Sequence, residues 1–200
     1  MTGIYTLSET YGLVVCGGKS SRMGIDKSIL KYYEKQQRYH MYNRLMPLCK
    51  RVFISCNEEQ EGNIEKGYQF IKDGEGFGDV GPIKALLTAF TKYPEKNLLF
   101  IGCDYPFLTL KELQLFSFVC KKEPAAFYNN SDNMYEPMLA WYPYTCFDEL
   151  KRMHKAKEFS LQHFLKINHA VKHLPANNNC IQSIDTPEGF KAAYKLLNGG

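Results

Sequence analysis

The sequence lacks any apolar run close to the ~18 residues that a membrane span requires, so no spanning segment is expected. Residues Met1 to Tyr11 hold neither a basic leader region nor an apolar one, which predicts no secretory signal and a cytoplasmic protein. No CxxC pair occurs among the cysteines at positions 16, 49, 56, 103, 120, 146 and 180. Several of them lie in apolar runs, so buried, reduced thiols are expected rather than a disulfide framework or a thiolate metal site. Internal repeats and low-complexity tracts are missing as well. Clustered positive charge is also absent: lysine and arginine are spread along the chain and the net charge is only +4, too mild to indicate a nucleic-acid partner. Such a balance suits a small anionic ligand.

What is present describes an ordinary globular chain. A hydrophobic content of 44% and a charged content of 23% allow a sizeable core, and 200 residues suit one domain spanning 1–200, with 124–144 a candidate lid-like excursion. Apolar runs at Gly12–Gly18, Arg51–Cys56, Tyr68–Lys72 and Leu98–Cys103 read as buried strands. Shorter strands are expected at Ala125–Tyr128, Met138–Tyr142, Val171–Leu174 and Ile181–Ile184, and a short extension at Ser28–Tyr33. Helices are expected over Gln37–Cys49, Ile83–Tyr93, Leu110–Lys121, Phe147–Lys157 and Leu161–Asn168. Thr109 with Glu112 has capping-box spacing, and Thr186 followed by Pro187 starts a last helix that runs to about Leu197. Gly74–Gly81 holds four glycines in eight residues and must be a loop.

Strands alternating with helices predict an α/β fold, a Rossmann-like three-layer sandwich with a mostly parallel central sheet flanked by helices. Right-handed crossovers line up the C-terminal ends of the strands along one edge, where ligands bind in such sheets. The loops after Cys16 and after Cys103 both fall there.

The first of these loops, Gly17–Lys27, reads GGKSSRMGIDK. Glycines let backbone amides approach a phosphate, the hydroxyls of Ser20 and Ser21 add donors, and Arg22 and Lys27 supply positive charge. A Walker A loop is excluded because Leu13 stands where its first glycine must be, and GxGxxG is excluded because Gly17 and Gly18 are adjacent. A plain glycine turn with exposed charges is the alternative, against which the concentration of Arg22, Gly24, Asp26 and Lys27 in one run weighs. In the second loop, Asp104 follows the apolar run LLFIGC directly. A carboxylate at the end of a central strand, near a triphosphate, suits Mg²⁺, a hard cation that takes oxygen ligands. Opening a turn or capping the next helix is the other use of such an aspartate.

These segments resemble the molybdenum cofactor guanylyltransferases, within the nucleotidyltransferase superfamily with a Rossmann-like sheet. GGKSSRMGIDK is similar to LAGGxSxRMGxDK, Asp73 followed by Gly81-Pro82 to an Asp, variable loop and GPLAG, and GCDYPFL (102–108) to PCDxPFL. Tyr135-Glu136-Pro137 falls at a polar residue and proline before a strand, and SIDTPE (183–188) is similar to NINTPED. The resemblance covers nearly the whole chain. It implies that Val15, Cys16, Gly17, Gly18, Ser20, Ser21, Lys27, Asn57, Asp73, Gly81 and Pro82 bind nucleotide. It also implies that Asp104 holds the metal and that Arg22, Lys27 and Asp104 are catalytic. For Asn57 and Asp73 the plainer uses, ending a strand and opening a loop, stay equally open, and Asp79 is a substitute for Asp73.

The resemblance implies transfer of GMP from GTP to the phosphate of molybdopterin or Mo-molybdopterin, with release of pyrophosphate, Mg²⁺ as cofactor and other molybdenum-cofactor assembly proteins as partners. Retention of GG after Val15-Cys16 leans towards guanine, since cytidylyl relatives resemble LAAG. GPIKA departs from GPLAG: Ala85 for glycine threatens a close backbone approach, and Lys84 adds a charge. Use of CTP or a sugar phosphate, and a non-catalytic GTP-binding protein, are the alternatives. His163, His169 and His173 straddle a helix end and a strand start without a ligand pattern, so packed or solvated histidines are expected. Tyr128, Tyr135, Trp141 and Tyr142 are expected to pack rather than to hold a ring.

Overall fold

The structure, a computed structural model, describes residues 6–16 and 24–199, without the side chains of Ser8 and Glu75. Seven strands form one sheet: β1 (Leu7–Val15), β2 (Cys49–Cys56), β3 (Phe70–Lys72), β4 (Asn97–Gly102), β5 (Ala125–Asn129), β6 (Met134–Tyr142) and β7 (Val171–His173). Their spatial order is β3-β2-β1-β4-β6-β5-β7. Pairing is parallel from β3 through β4, β6 runs antiparallel to both β4 and β5, and β7 is parallel to β5. The expected mostly parallel α/β sheet is therefore present, with one reversed strand.

The helices are α1 (Gln37–Leu45), α2 (Glu58–Glu61), α3 (Ile83–Lys92), α4 (Leu110–Ser117), α5 (Phe147–Lys155), α6 (Leu161–Ile167) and α7 (Pro187–Asn198). Both faces of the sheet are covered, as the apolar strands require. One core joins Val14, Ile54, Ile101 and Trp141 to Leu45 of α1 and Phe116 of α4; the other joins Leu13, Phe53 and Phe100 to Leu86 of α3, Leu150 of α5 and Phe164 of α6. Side chains that alternate along each strand thus feed opposite layers. A third, small cluster of Leu30, Tyr32, Ile184 and Ala193 packs α7 against the segment after Lys27.

Several expectations are corrected. Ile181–Ile184 is not a strand: Asn178–Ile181 forms a 3₁₀ turn, and Ile184 donates its amide to Asp104 O at 2.9 Å, so this apolar stretch docks on a loop instead of joining the sheet. Lys27–Ile29 is a 3₁₀ turn, not an extension, because the Asp26 carboxylate caps it by accepting from Ser28 N at 2.8 Å. The 124–144 region contributes two strands to the sheet. Ala125–Phe127 and Leu139–Tyr142 are buried interior strands. Only the part of the β5–β6 hairpin beyond the end of β4 overhangs the edge. Thr109 caps α4 by accepting from Glu112 N at 3.2 Å, yet Glu112 does not return the bond. Its buried carboxylate lies 2.8 Å from His173 Nε2, tying α4 to β7.

Candidate functional site

β1 and β4 end side by side. Val15 is in register with Gly102, and Cys103 N donates to Val15 O at 3.1 Å, so the two loops singled out in the sequence leave the same point of the sheet edge. Gly17, Gly18, Ser20, Ser21 and Arg22 lie outside the described residues. Both flanks of that segment are described. Cys16 N donates to Ser55 O at 3.2 Å, which aligns the ends of β1 and β2. On the far flank, Lys27 Nζ stands 3.8 Å from Asp104 Oδ2. Lys27 and Asp104 are thus brought together at the sheet edge.

Asp104 is held from several directions. Ser183 Oγ donates to its Oδ2 at 3.0 Å, and its carbonyl takes the Ile184 amide. Gly102 makes this possible: a Cβ there would lie 2.7 Å from Asp104 Oδ1 and 3.1 Å from Tyr105 Cε2. Below, Tyr105 is buried and its hydroxyl donates to Glu136 Oε2 at 3.2 Å. Burial raises the Glu136 carboxyl above the usual carboxylate range, the Tyr105 hydroxyl opposes this, and the Asp104 charge adds to it. Glu136 sits on the overhanging part of β6, so a second carboxylate faces the edge beside Asp104.

Cys16 and Cys103 also meet here. Their thiol contact, burial and the neighbouring Asp104 hold the Cys103 thiol well above its ordinary range. A thiol kept protonated in this way is packing, not a nucleophile. All seven cysteines are buried and unpaired, as expected.

Asn57, at the end of β2, caps α2. Its Oδ1 accepts from Gln60 N at 2.9 Å while Gln60 Oε1 accepts from Asn57 N at 3.1 Å, a reciprocal capping box. The remaining amide of Gln60 donates to Asp26 Oδ2 at 2.8 Å and lies 3.3 Å from Cys16 O. This residue was not singled out in the sequence, although Asn-x-x-Gln is a legible helix start. It links the two flanks of the glycine segment.

Asp73, at the end of β3, takes the hydroxyl of Ser55 on its carboxylate and donates its amide to Cys56 O at 2.9 Å. Burial raises its carboxyl, opposed first by the Ser55 hydrogen bond and then by the charge of Lys84. Gly81 has φ +74°, a left-handed conformation that favours glycine, and Pro82 stands at the entrance to α3. Ala85 does not crowd the edge: it is buried, its methyl packed in the core beneath α3. Asp73, Gly81 and Pro82 therefore lie at the β3 side of the edge, and Lys27 and Asp104 at its β1–β4 centre.

Other side chains brace this centre. Tyr33 Oη donates to Pro106 O at 2.9 Å, and Arg44 Nη1 donates to Leu108 O, so the segment after Lys27 is fastened to the turn after Asp104. Asn198 of α7 donates to Tyr32 O at 2.9 Å. The aromatic residues Tyr128, Tyr135, Trp141 and Tyr142 pack in the cores: Tyr135 Oη donates to Ala170 O at 2.8 Å and Trp141 Nε1 to Thr10 Oγ1 at 3.2 Å. Among the described residues, no group of three His, Cys, Asp or Glu side chains is arranged to hold a metal, and no helix is long and apolar enough to cross a membrane.

Residues 12–174 match the family described as the MobA-like NTP transferase domain. The chain is 28% identical over 179 residues to the molybdenum cofactor guanylyltransferase of Shewanella sediminis, covering 88% of this chain and 91% of that one. It is 38% identical over 100 residues to the molybdenum cofactor biosynthesis bifunctional protein of Synechocystis, covering 49% of this chain and 28% of that one. Among solved structures, molybdopterin-guanine dinucleotide biosynthesis protein A from Archaeoglobus fulgidus superposes with a TM-score of 0.76 over 96% of this chain and all of that one, at 18% identity. That likeness establishes the shared fold.

Proposed function

The chain belongs to the MobA-like NTP transferase domain family, and from that membership we propose that it transfers GMP from GTP to the phosphate of molybdopterin or Mo-molybdopterin, releasing pyrophosphate. One observation carries the reading: Lys27 Nζ and Asp104 Oδ2 lie 3.8 Å apart where β1 and β4 end together. A cation and a carboxylate beside a glycine-rich segment are the parts a metal-bound triphosphate needs.

In the reaction, an oxygen of the acceptor phosphate forms a bond to the α-phosphorus of GTP. The bond from that phosphorus to the α–β bridging oxygen breaks, and pyrophosphate leaves with the electron pair. The nucleophile is already anionic at neutral pH, so little proton transfer is required. Catalysis rests on in-line positioning and neutralisation of charge. Gly17, Gly18, Ser20 and Ser21 are assigned backbone or hydroxyl contacts to the phosphates, with Val15 and Cys16 part of the same nucleotide-binding segment; Arg22 and Lys27 are assigned to neutralise the phosphates and the leaving group. Asn57, Asp73, Gly81 and Pro82 lie on the nucleoside side.

Asp104 supplies a hard oxygen ligand on the edge, and Mg²⁺ is commonly held by one or two carboxylates together with substrate phosphates, so the residues fit this ion. Held by Asp104, such an ion would supply positive charge to offset that of the phosphates. Ser183 and the Ile184 amide fix the orientation of Asp104, and Gly102 leaves room for it. A cytoplasmic location accords with seven unpaired thiols.

The test is pyrophosphate release by the full chain with GTP, CTP, ATP or UTP and Mg²⁺, with and without molybdopterin. Release with GTP only when molybdopterin is present supports the reading. Release with another nucleotide in preference, or none with any, overturns it.

A further inference from the structure

Lys84 has no role in the reaction as described, and the position it occupies is specific. It stands in the first turn of α3, its amide donating to Gly81 O at 3.2 Å. Residues four apart share a helix face. The residue four on from Lys84 is Thr88, whose hydroxyl accepts from Gly74 N at 2.9 Å, immediately after Asp73. The face of α3 that carries Lys84 is therefore the face turned to the end of β3. Lys84 lies one helical turn, roughly 5.4 Å, nearer the helix start than that contact, and so towards the sheet edge. Its side chain is half-buried, and its charge acts on the Asp73 carboxylate, which the Ser55 hydroxyl holds in place. A fixed acceptor and a cationic donor thus stand together at the β3 side of the edge. They are two strands, roughly 10 Å, from the end of β1.

That pairing selects among bases. Guanine presents a carbonyl acceptor at O6 next to donors at N1 and the 2-amino group. Adenine and cytosine present an amino donor where guanine has O6. Beside an ammonium that amino group has no acceptor, whereas O6 accepts from it. We propose that Lys84 is a specificity-determining residue that donates to guanine O6 while Asp73 accepts from the N1–H and 2-amino donors. The inference rests on the guanylyl-transfer reading above. It also gives a purpose to a lysine that replaces the small residue of GPLAG.

The experiment compares the full-length wild type with Lys84→Ala and Lys84→Gln. It uses GTP, ITP (which keeps O6 and N1–H), 2-aminopurine riboside triphosphate (which lacks both) and ATP, with molybdopterin and Mg²⁺. Pyrophosphate release gives kcat/KM, and a thermal-shift measurement without acceptor gives binding. Sites built to hydrogen-bond a substrate group discriminate strongly against analogues that lack it. Lys84→Ala is accordingly expected to lower kcat/KM for GTP and ITP by about 100-fold, while ATP and the 2-aminopurine nucleotide change by less than about threefold. Lys84→Gln, which keeps a donor, is expected to recover part of the loss. An unchanged preference for GTP over ATP in Lys84→Ala overturns the proposal, and so does an equal fall for all four nucleotides, which marks a phosphate contact. If the wild type neither turns over GTP nor gains thermal stability from it, the guanylyl-transfer reading itself fails. Normal wild-type turnover with unaltered discrimination in both variants rejects Lys84 alone.

Discussion

Gln60 Nε2 lies 2.8 Å from Asp26 Oδ2, and the same amide reaches the carbonyl of Cys16. One side chain on a four-residue helix thereby joins the residue before the glycine segment to the residue before Lys27. Buried polar networks of this kind fix geometry because each lost partner leaves a desolvated group.

Gln60→Glu should be more damaging than Gln60→Ala. The glutamate faces the Asp26 carboxylate, a like-charge contact, and loses the donor to Cys16. We expect KM for GTP to rise by about 10-fold in Gln60→Ala and further in Gln60→Glu, with a smaller fall in kcat. Steady-state kinetics with both variants check the order, and equal KM values would count against the clamp.

Gly102→Ala tests the seat of Asp104. The added Cβ would meet Asp104 Oδ1 at 2.7 Å, so the carboxylate must turn away. Activity is expected to fall by about 100-fold, in kcat rather than KM for GTP, since small misplacements at a reacting centre are costly. The sheet should survive, read as an unchanged far-UV circular dichroism spectrum. Full activity would show that the Asp104 orientation is not critical.

Lys27→Ala and Asp104→Asn remove the two charges at the centre of the edge. Each is expected to lower kcat/KM by roughly 100–1,000-fold, in the range seen when one electrostatic contact to a transition state is lost. Thermal unfolding should move little, because neither side chain is in a core. A variant that keeps wild-type turnover places that residue outside the mechanism.

Stability should fall in mild acid. Burial and the nearby Arg44 hold His40 down at about 4, against roughly 6.5 in an unfolded chain. Between those values the unfolded chain binds more protons than the folded one, so stability is full above about pH 6.5 and is lost as pH falls towards 4. His40 is stacked on Tyr33 at 3.9 Å, so protonation also disturbs the brace to Pro106. A melting temperature followed from pH 7.5 to 4.5 should decline by several degrees, and His40→Phe should flatten that decline. An identical slope in the variant would assign the effect to other groups.

Two glycines should respond oppositely to alanine. Gly81 has φ +74°, so Gly81→Ala is expected to cost about 1–2 kcal/mol in spite of open space around it. Gly62, in a right-handed conformation with nothing near its Cβ position, should be neutral or stabilised by up to about 1 kcal/mol as Gly62→Ala. Urea unfolding of both variants settles the comparison.

Much of the site could be read in the sequence because its parts sit at strand ends. Leu98–Gly102 is buried on both faces and so is continuously apolar, and the first polar residue after it on the edge, Asp104, stands out. The order Gly17 to Lys27 was legible for the same reason, as a polar glycine run after an apolar strand. Direction was not legible: alternation along Met134–Tyr142 is the same for a parallel and an antiparallel strand, so the reversal of β6 emerged only in three dimensions. Ile181–Ile184 shows the limit of short apolar runs, which serve equally to dock a loop. The early part of β1 was missed because Ser8, Glu9 and Thr10 are polar, and Glu9 sits at φ +56° near a break in register. Gln60 and Ser183 act on partners 34 and 79 residues away, a relation no local pattern encodes.

The reversed strand has a consequence for how such a protein diversifies. Since β6 points back towards the body of the sheet, the chain between β5 and β6 must make its turn in open space, from Asn129 to Met134, past the last residue of β4. Insertions at that turn lengthen a finger above the carboxylates without disturbing the register of β1, β2 and β4. The rim of the sheet edge on that side can therefore vary in length and chemistry while the parallel strands that carry Lys27 and Asp104 keep their places.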